Sequence, residues 1–369
     1  MDSGVPLPVP AILEARIFLA LCPNDFGSRC RPAGAPLNGW NKIFRPPSRA
    51  RNLSSERLII APVNLSMEIV VASYNQMPAE MLEERAAEAV RMLESCRICP
   101  RNCRVNRLQD EPGFCRGERH ARIYSYAPHF GEEAPLVGVH GSGTIFFSGC
   151  NMACVFCQNY EISQLDQGMK ARADGLATMM MRLQDLGCHN INFVSPTHYV
   201  PQILEALVVA RERGLNVPLV YNSGGYDLVE TLRLLEGIFD IYMPDAKYGS
   251  DEMALLYSKA PRYTHYMKTA IREMHRQVGD LVIQDGIAKR GLLVRHLVLP
   301  GDLGGTAEVV RFLAEEISRE TYLNVMAQYK PEYTACNYPE LDRRLKVLEY
   351  RDAVLLAARA GLTRGLTVY

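Results

Sequence analysis

From residue 143 onward the chain alternates between two patterns, and this alternation constrains its fold more than any other feature. Short apolar, β-type runs occupy Gly143–Ser148, Asn190–Ser195, Val217–Asn222, Phe239–Met243, Leu292–Leu299 and Tyr322–Gln328. Helical patterns lie between most of them. One is Val200–Arg213, with Ile203, Leu204, Leu207 and Val208 on one face; others are Leu228–Leu235 and Ala307–Ile317. A strand followed by a crossover helix returns parallel to its predecessor. Six such units predict an α/β fold, either a partial barrel or a doubly wound sheet. In both, the chemistry sits in loops that follow the C-terminal ends of the strands.

The loop after the first run is therefore the place to look, and three cysteines occupy it. The segment Phe146-Phe147-Ser148-Gly149-Cys150-Asn151-Met152-Ala153-Cys154-Val155-Phe156-Cys157 carries the spacing Cys-x3-Cys-x2-Cys. A structural zinc ion wants four ligands. Three thiolates on one tight loop suit three irons of a cubane cluster and leave the fourth iron open to a substrate or cofactor. A partial zinc knuckle and unligated core cysteines are the blander readings.

This loop resembles the signature of radical S-adenosylmethionine (radical SAM) enzymes, with Phe156 in the aromatic position before the last cysteine. The resemblance covers residues 143–335 and implies a partial (β/α)6 TIM-like barrel. It also implies that Cys150, Cys154 and Cys157 ligate a [4Fe–4S] cluster whose open iron binds S-adenosyl-L-methionine. One electron from the cluster then cleaves the cofactor to methionine and a 5′-deoxyadenosyl radical, which abstracts hydrogen from a substrate. A one-electron donor of flavodoxin or ferredoxin type is implied as a partner.

Within that superfamily the chain is most similar to pyruvate formate-lyase activating enzymes and their uncharacterised relatives. Met243-Pro244-Asp245-Ala246-Lys247 resembles their Asp-x-Lys motif, and Arg295-His296-Leu297-Val298-Leu299-Pro300-Gly301 their fifth-strand arginine segment. The resemblance makes Asp245, Lys247 and Arg295 cofactor-binding candidates. Two departures follow. The usual Gly-Gly-Glu-Pro is replaced by Val194-Ser195-Pro196-Thr197-His198, so oxygens of Ser195 or Thr197 would take over the amino-group contact. The usual Asp-Thr-Asn-Gly reads Tyr221-Asn222-Ser223-Gly224-Gly225, leaving Asn222 to reach the ribose. The expected activity is activation of a glycyl-radical enzyme. Radical modification of a small molecule or peptide is the alternative, and a non-enzymatic iron–sulfur electron carrier stands third.

The chain has 11 cysteines, an odd number that argues against a complete disulfide framework. Cys96, Cys99, Cys103 and Cys115 form a second group, enough to close a zinc site or hold an auxiliary iron–sulfur cluster. Reduced, unligated thiols and a disulfide pair are the other readings. Cys22 and Cys30 lie near the N-terminus; Cys188 and Cys336 stand alone.

Residues 1–66 hold 9 of the 22 prolines without periodicity and read as a disordered tail or non-native extension. Residues 67–142 form a helix (79–95) and the cysteine-rich N-terminal segment, and residues 143–369 form the barrel with a capping helix over 341–360. Lysine plus arginine total 41 and aspartate plus glutamate 41, so the formal net charge is zero. Nothing in that balance asks for nucleic acid or an acidic membrane surface. No run approaches the roughly 18 apolar residues of a membrane span. With an oxygen-sensitive cluster implied, the expected location is cytoplasmic.

Overall fold

Central strands buried on both faces build the sheet of this chain. In the computed structural model, which describes residues 71–165 and 167–366, every residue of Leu219–Ser223 and Ile241–Pro244 is buried. Such strands need a layer on each side, as parallel strands covered by helices have. The tail expected over 1–66 lies outside the described residues.

Nine strands are present among the described residues: β1 (Ala121–His129), β2 (Ser142–Phe147), β3 (Met169–Ala171), β4 (Ile191–Val194), β5 (Leu219–Ser223), β6 (Ile241–Pro244), β7 (Val282–Gln284), β8 (Ile287–Leu297) and β9 (Tyr322–Met326). Strands β2, β4, β5, β6, β8 and β9 pair in parallel, in chain order. These are the six runs read from the sequence. Strand β1 adds antiparallel to β2, β3 to β1, and β7 to β8. The parallel order never reverses, which removes the doubly wound alternative, since that fold turns back at a switch point. Right-handed crossovers then put the connecting helices on one face and leave the other as the interior of an open barrel.

The helices follow their apolar faces. Val200–Glu212 buries Val200, Ile203, Leu204 and Leu207, and it packs against Ala79–Arg91, which buries Leu82, Ala86 and Ala89. Ala173–Asp185 buries Leu176, Met180 and Leu183, so Met180 of the Met179–Met181 run is core. The capping helix is shorter than the 341–360 pattern and spans Val347–Arg359. The reason is its N-terminus. Glu349 accepts from the backbone N–H of Lys346 at 2.8 Å and from that of Gly301 at 2.8 Å, and it pairs with Arg343. This capping-box exchange fixes the start at Val347. Buried Asp240 ties the N-terminal segment to the barrel, accepting from Ser73 N–H (3.0 Å) and Oγ (2.7 Å) and from Leu219 N–H (3.0 Å).

Among the described residues no helix is long and apolar enough to cross a membrane.

Candidate functional site

The three-cysteine loop leaves the C-terminal end of β2, as the sequence places it. Gly149 begins the turn at φ +80°, where a side chain would be strained, and a Cβ there would lie 2.3 Å from the Cys115 carbonyl oxygen. Cys150, Cys154 and Cys157 are all free thiols. Each sulfur has a polar neighbour. Met152 N–H donates to Cys150 Sγ at 3.4 Å, Ser258 Oγ donates to Cys154 Sγ at 3.0 Å, and Ser163 Oγ lies 3.2 Å from Cys157 Sγ. Burial pushes the Cys150 thiol up to about 12, with neighbouring Cys154 and Cys157 adding to the rise. Burial pushes Cys154 up to about 11, while the Lys247 ammonium pulls the other way. Phe156 packs edge-on against Tyr248 and Tyr329 and anchors the loop to the barrel.

The ends of β5, β6 and β8 bring four of the five cofactor candidates together. Arg295 donates from Nε to Asp245 Oδ1 at 2.8 Å and from Nη2 to Asn222 Oδ1 at 2.6 Å. Lys247 Nζ donates to the other oxygen of Asp245. Burial alone would raise the Asp245 pKa, but Arg295 and Lys247 outweigh it and hold the carboxyl below its usual range. In the same way, burial would lower Lys247, and Asp245 keeps it raised. Strand alternation sends the next residue, His296, to the opposite face, where its ring nitrogens meet the Ala246 carbonyl (2.7 Å) and Thr306 Oγ1 (3.0 Å).

The fifth candidate, Ser195, stands at φ +59° and gives its backbone N–H to the Asn222 carbonyl at 2.9 Å. Thr197 is buried, with its hydroxyl proton turned toward Asp227. It donates to Asp227 Oδ1 at 2.7 Å, and the same carboxylate accepts from Tyr221 OH (2.9 Å) and Ser223 Oγ (2.7 Å). Asp227 is fully buried, and burial raises its pKa against these three donors. His198 is buried, with Nε2 3.0 Å from the Ser148 carbonyl and Nδ1 without a hydrogen-bond partner.

Several site residues were not singled out from the sequence. Tyr263 OH accepts from Lys247 N–H at 2.9 Å and lies within 3.0 Å of the Gly224 and Asp245 carbonyls, pinning the loops after β5 and β6 together. Glu132 and Glu133, just past β1, face Arg295 across the open seam of the barrel. Glu132 Oε2 lies 3.9 Å from Arg295 Nη1, and Glu133 Oε1 accepts from Asn324 Nδ2 at 2.8 Å. Their only sequence signal was an acidic pair, Gly131-Glu132-Glu133, directly after a β-type stretch. A cavity of about 790 Å³ opens at this seam, lined by Glu132, Glu133, Arg295, Asn324, Met326 and Tyr350.

Cys96, Cys99, Cys103 and Cys115 fold against the outside of the three-cysteine loop. All four are free and all line one small void. Among the described residues no three Cys, His, Asp or Glu side chains are drawn close enough to hold a single metal ion. A cluster does not ask Cys150, Cys154 and Cys157 to meet at one ion, since each sulfur would serve its own iron. The donor set fits: three soft ligands, each with a polar neighbour, beside the Lys247 cation.

A family profile described as the radical SAM superfamily matches residues 144–313. An uncharacterised protein of Methanocaldococcus jannaschii is 34% identical over 292 residues, covering 76% of this chain and 80% of the relative. A second uncharacterised protein of the same organism is 24% identical over 264 residues, covering 66% and 73%. A crystal structure of a radical SAM methyltransferase from Sphaerobacter thermophilus superposes with a TM-score of 0.42 at 15% identity, covering 60% of this chain and 64% of that one. The fold and the three-cysteine loop define an iron–sulfur, S-adenosylmethionine-dependent class of protein. This chain carries a radical SAM superfamily domain over residues 144–313, and that family implies a [4Fe–4S] cluster and S-adenosyl-L-methionine as cofactors.

Proposed function

We propose that the protein is a radical SAM enzyme of the activating-enzyme type, which abstracts hydrogen from a glycine of a partner glycyl-radical enzyme. The observation that carries this reading is the Asn222–Arg295–Asp245–Lys247 chain at the strand ends beside the cysteine loop. When bound, the cluster and cofactor would supply a one-electron cleavage that yields a 5′-deoxyadenosyl radical. Cys150, Cys154 and Cys157 would hold the cluster. Asp245 and Lys247 offer an acceptor and a cation to the polar groups of the cofactor, while Asn222 and Ser195 reach its ribose and amino ends. Arg295 fixes the direction of Asp245, so the carboxylate stays ionised and oriented. Burial of Asn222 and Asp245 keeps water from that end of the site. A flavodoxin- or ferredoxin-type protein is the proposed electron donor, and the proposed setting is cytoplasmic.

The seam cavity favours a second reading. Its volume, about 790 Å³, suits a small molecule or a peptide side chain. Under that reading, Glu132, Glu133 and Asn324 orient the substrate.

Anaerobic reconstitution followed by dithionite and S-adenosylmethionine tests the reaction. Formation of 5′-deoxyadenosine, lost in the variant Cys150→Ala, Cys154→Ala, Cys157→Ala, is expected; a variant that keeps full activity would sink the assignment. Transfer of deuterium into 5′-deoxyadenosine from a glycine-deuterated partner protein separates the first reading from the second.

A further inference from the structure

A second cavity, of about 180 Å³, reaches Cys150 where the N-terminal cysteine segment meets the barrel loop. Phe114, Arg116, Gln164 and Lys259 line it together with Cys150 and Ser163. Ser163 Oγ lies 3.2 Å from Cys157 Sγ, so the cavity also comes within one side chain of that cysteine. Cys154 instead feels the Lys247 ammonium, which belongs to the proposed cofactor set.

The rim of this cavity is cationic. Arg116, Lys259 and Arg262 are exposed, and none of them forms an ion pair among the described residues. Arg262 lies 5.5 Å over the Tyr266 ring, and Tyr266 meets Tyr226 edge-on at 5.5 Å. Arg101 bridges onward, 5.3 Å from the Tyr226 ring and 3.5 Å from that of Phe114. These contacts make one continuous surface from Arg262 to the cavity, with the Phe114 ring 40% exposed among the cations. Each of the three cations stands in left-handed backbone, at φ +57°, +49° and +54°. Lys259 takes the position that ends the helix Asp251–Ser258, where glycine is usual. The whole chain carries no net charge, so attraction of a charged protein has to come from a local patch such as this one.

We propose that this surface is the docking site of an acidic one-electron carrier protein, which delivers its electron to the cluster from the Cys150 side of the loop. The inference rests on the cluster and the electron donor proposed above, and not on the choice of substrate. In the step itself the carrier is oxidised by one electron and the cluster reduced by one; no bond forms or breaks. Electron transfer falls off steeply with distance, so the carrier needs an approach that ends near the sulfurs, and this cavity provides it. Arg116, Lys259 and Arg262 steer and orient the partner, and Phe114 gives it an apolar contact. Complexes of this kind are small, burying less than about 1,200 Å².

The test titrates the reconstituted full chain with an acidic flavodoxin, beside the variant Arg116→Glu, Lys259→Glu, Arg262→Glu. The variant should bind oxidised flavodoxin about tenfold more weakly at low salt, and the difference should close as salt is raised. Cluster reduction, followed by electron paramagnetic resonance, should slow by a similar factor with reduced flavodoxin. It should stay unchanged with photoreduced deazaflavin, a small reductant that needs no docking. Iron content should be equal in the two proteins. Should the triple variant fail to fold, Lys259→Gln with Arg262→Gln is the milder pair and should weaken binding severalfold. The binding arm needs no iron, so it reads the surface in cluster-free protein as well, and a chain that holds no iron would count against the cluster alone. No salt-dependent binding by the unaltered protein, or binding and reduction equal in the variants, overturns the proposal.

Discussion

Arg295 Nε stands 2.8 Å from Asp245 Oδ1, although the two residues are fifty positions apart on different strands. The pair also forms a parallel bridge between the backbone just past β6 and β8 itself. Its third member, Lys247, shares the same carboxylate. Removing the charge of Asp245 therefore strands two buried cations. Asp245→Asn should cost about 3–5 kcal/mol of stability, read as a lower urea midpoint in the apo-protein. It should also abolish 5′-deoxyadenosine formation. Lys247→Met in the same assay should cost less stability, because Arg295 still balances the carboxylate. Equal stability of Asp245→Asn and the unaltered protein would refute this account of the site.

Asp227 supports the same loops from below. It accepts from three hydroxyls that come from the β4 loop, β5 and the end of β5. An asparagine there keeps the volume but turns one acceptor into a donor facing hydroxyls. Asp227→Asn should lose about 1–3 kcal/mol in urea unfolding. Tyr221→Phe removes only one donor and should lose less. The order of the two variants checks the assignment; the reverse order would contradict it.

The parallel sheet was legible because its signal is local: six apolar runs of strand length, spaced by helical periods. The cysteine loop was legible because its spacing is dense chemistry in one stretch. Other parts were not, for a physical reason. Strands β1, β3 and β7 lie outside the parallel core with one face partly open, so their runs, such as Ala121–His129 with Tyr124 and Ser125 exposed, lack a continuous apolar stretch. Asn222, Asp245, Lys247 and Arg295 were read by resemblance, yet their mutual contacts depend on register between strands, which no single stretch encodes. The Thr197–Asp227 bond was not legible because its two residues lie thirty positions apart. Glu132 and Glu133 were ordinary acidic residues until β8 brought Arg295 opposite them.

The ring of His129 gives a titration that can be watched directly. Its Nδ1 lies 3.0 Å from Glu132 Oε1, and that bond raises its pKa above the usual 6.5 despite partial burial. A histidine whose folded pKa is raised contributes stability that is present below its unfolded pKa and is lost as pH rises through the folded one. NMR of the imidazole should show a midpoint above 6.5, falling back in Glu132→Gln. The stability difference between the two proteins should shrink as pH rises past that midpoint. A midpoint unchanged by Glu132→Gln would show that the carboxylate does not hold the proton.

Gly149 is the point where the two cysteine groups touch. A methyl group there would meet the Cys115 carbonyl at 2.3 Å, and the residue's φ of +80° is already unfavourable for alanine. Backbone cannot yield as a flexible side chain can, so the cysteine loop itself must shift. The sheet is fixed elsewhere, by β2 pairing with β4 and with β1, so the fold should survive. Gly149→Ala should therefore keep its far-UV circular dichroism while losing severalfold in iron bound at Cys150, Cys154 and Cys157 after reconstitution. Strain at such a position costs on the order of 1–3 kcal/mol, which gives the expected drop in thermal midpoint. Full iron occupancy with unchanged stability would show that the loop tolerates the displacement and that its contact with Cys115 does not set its position.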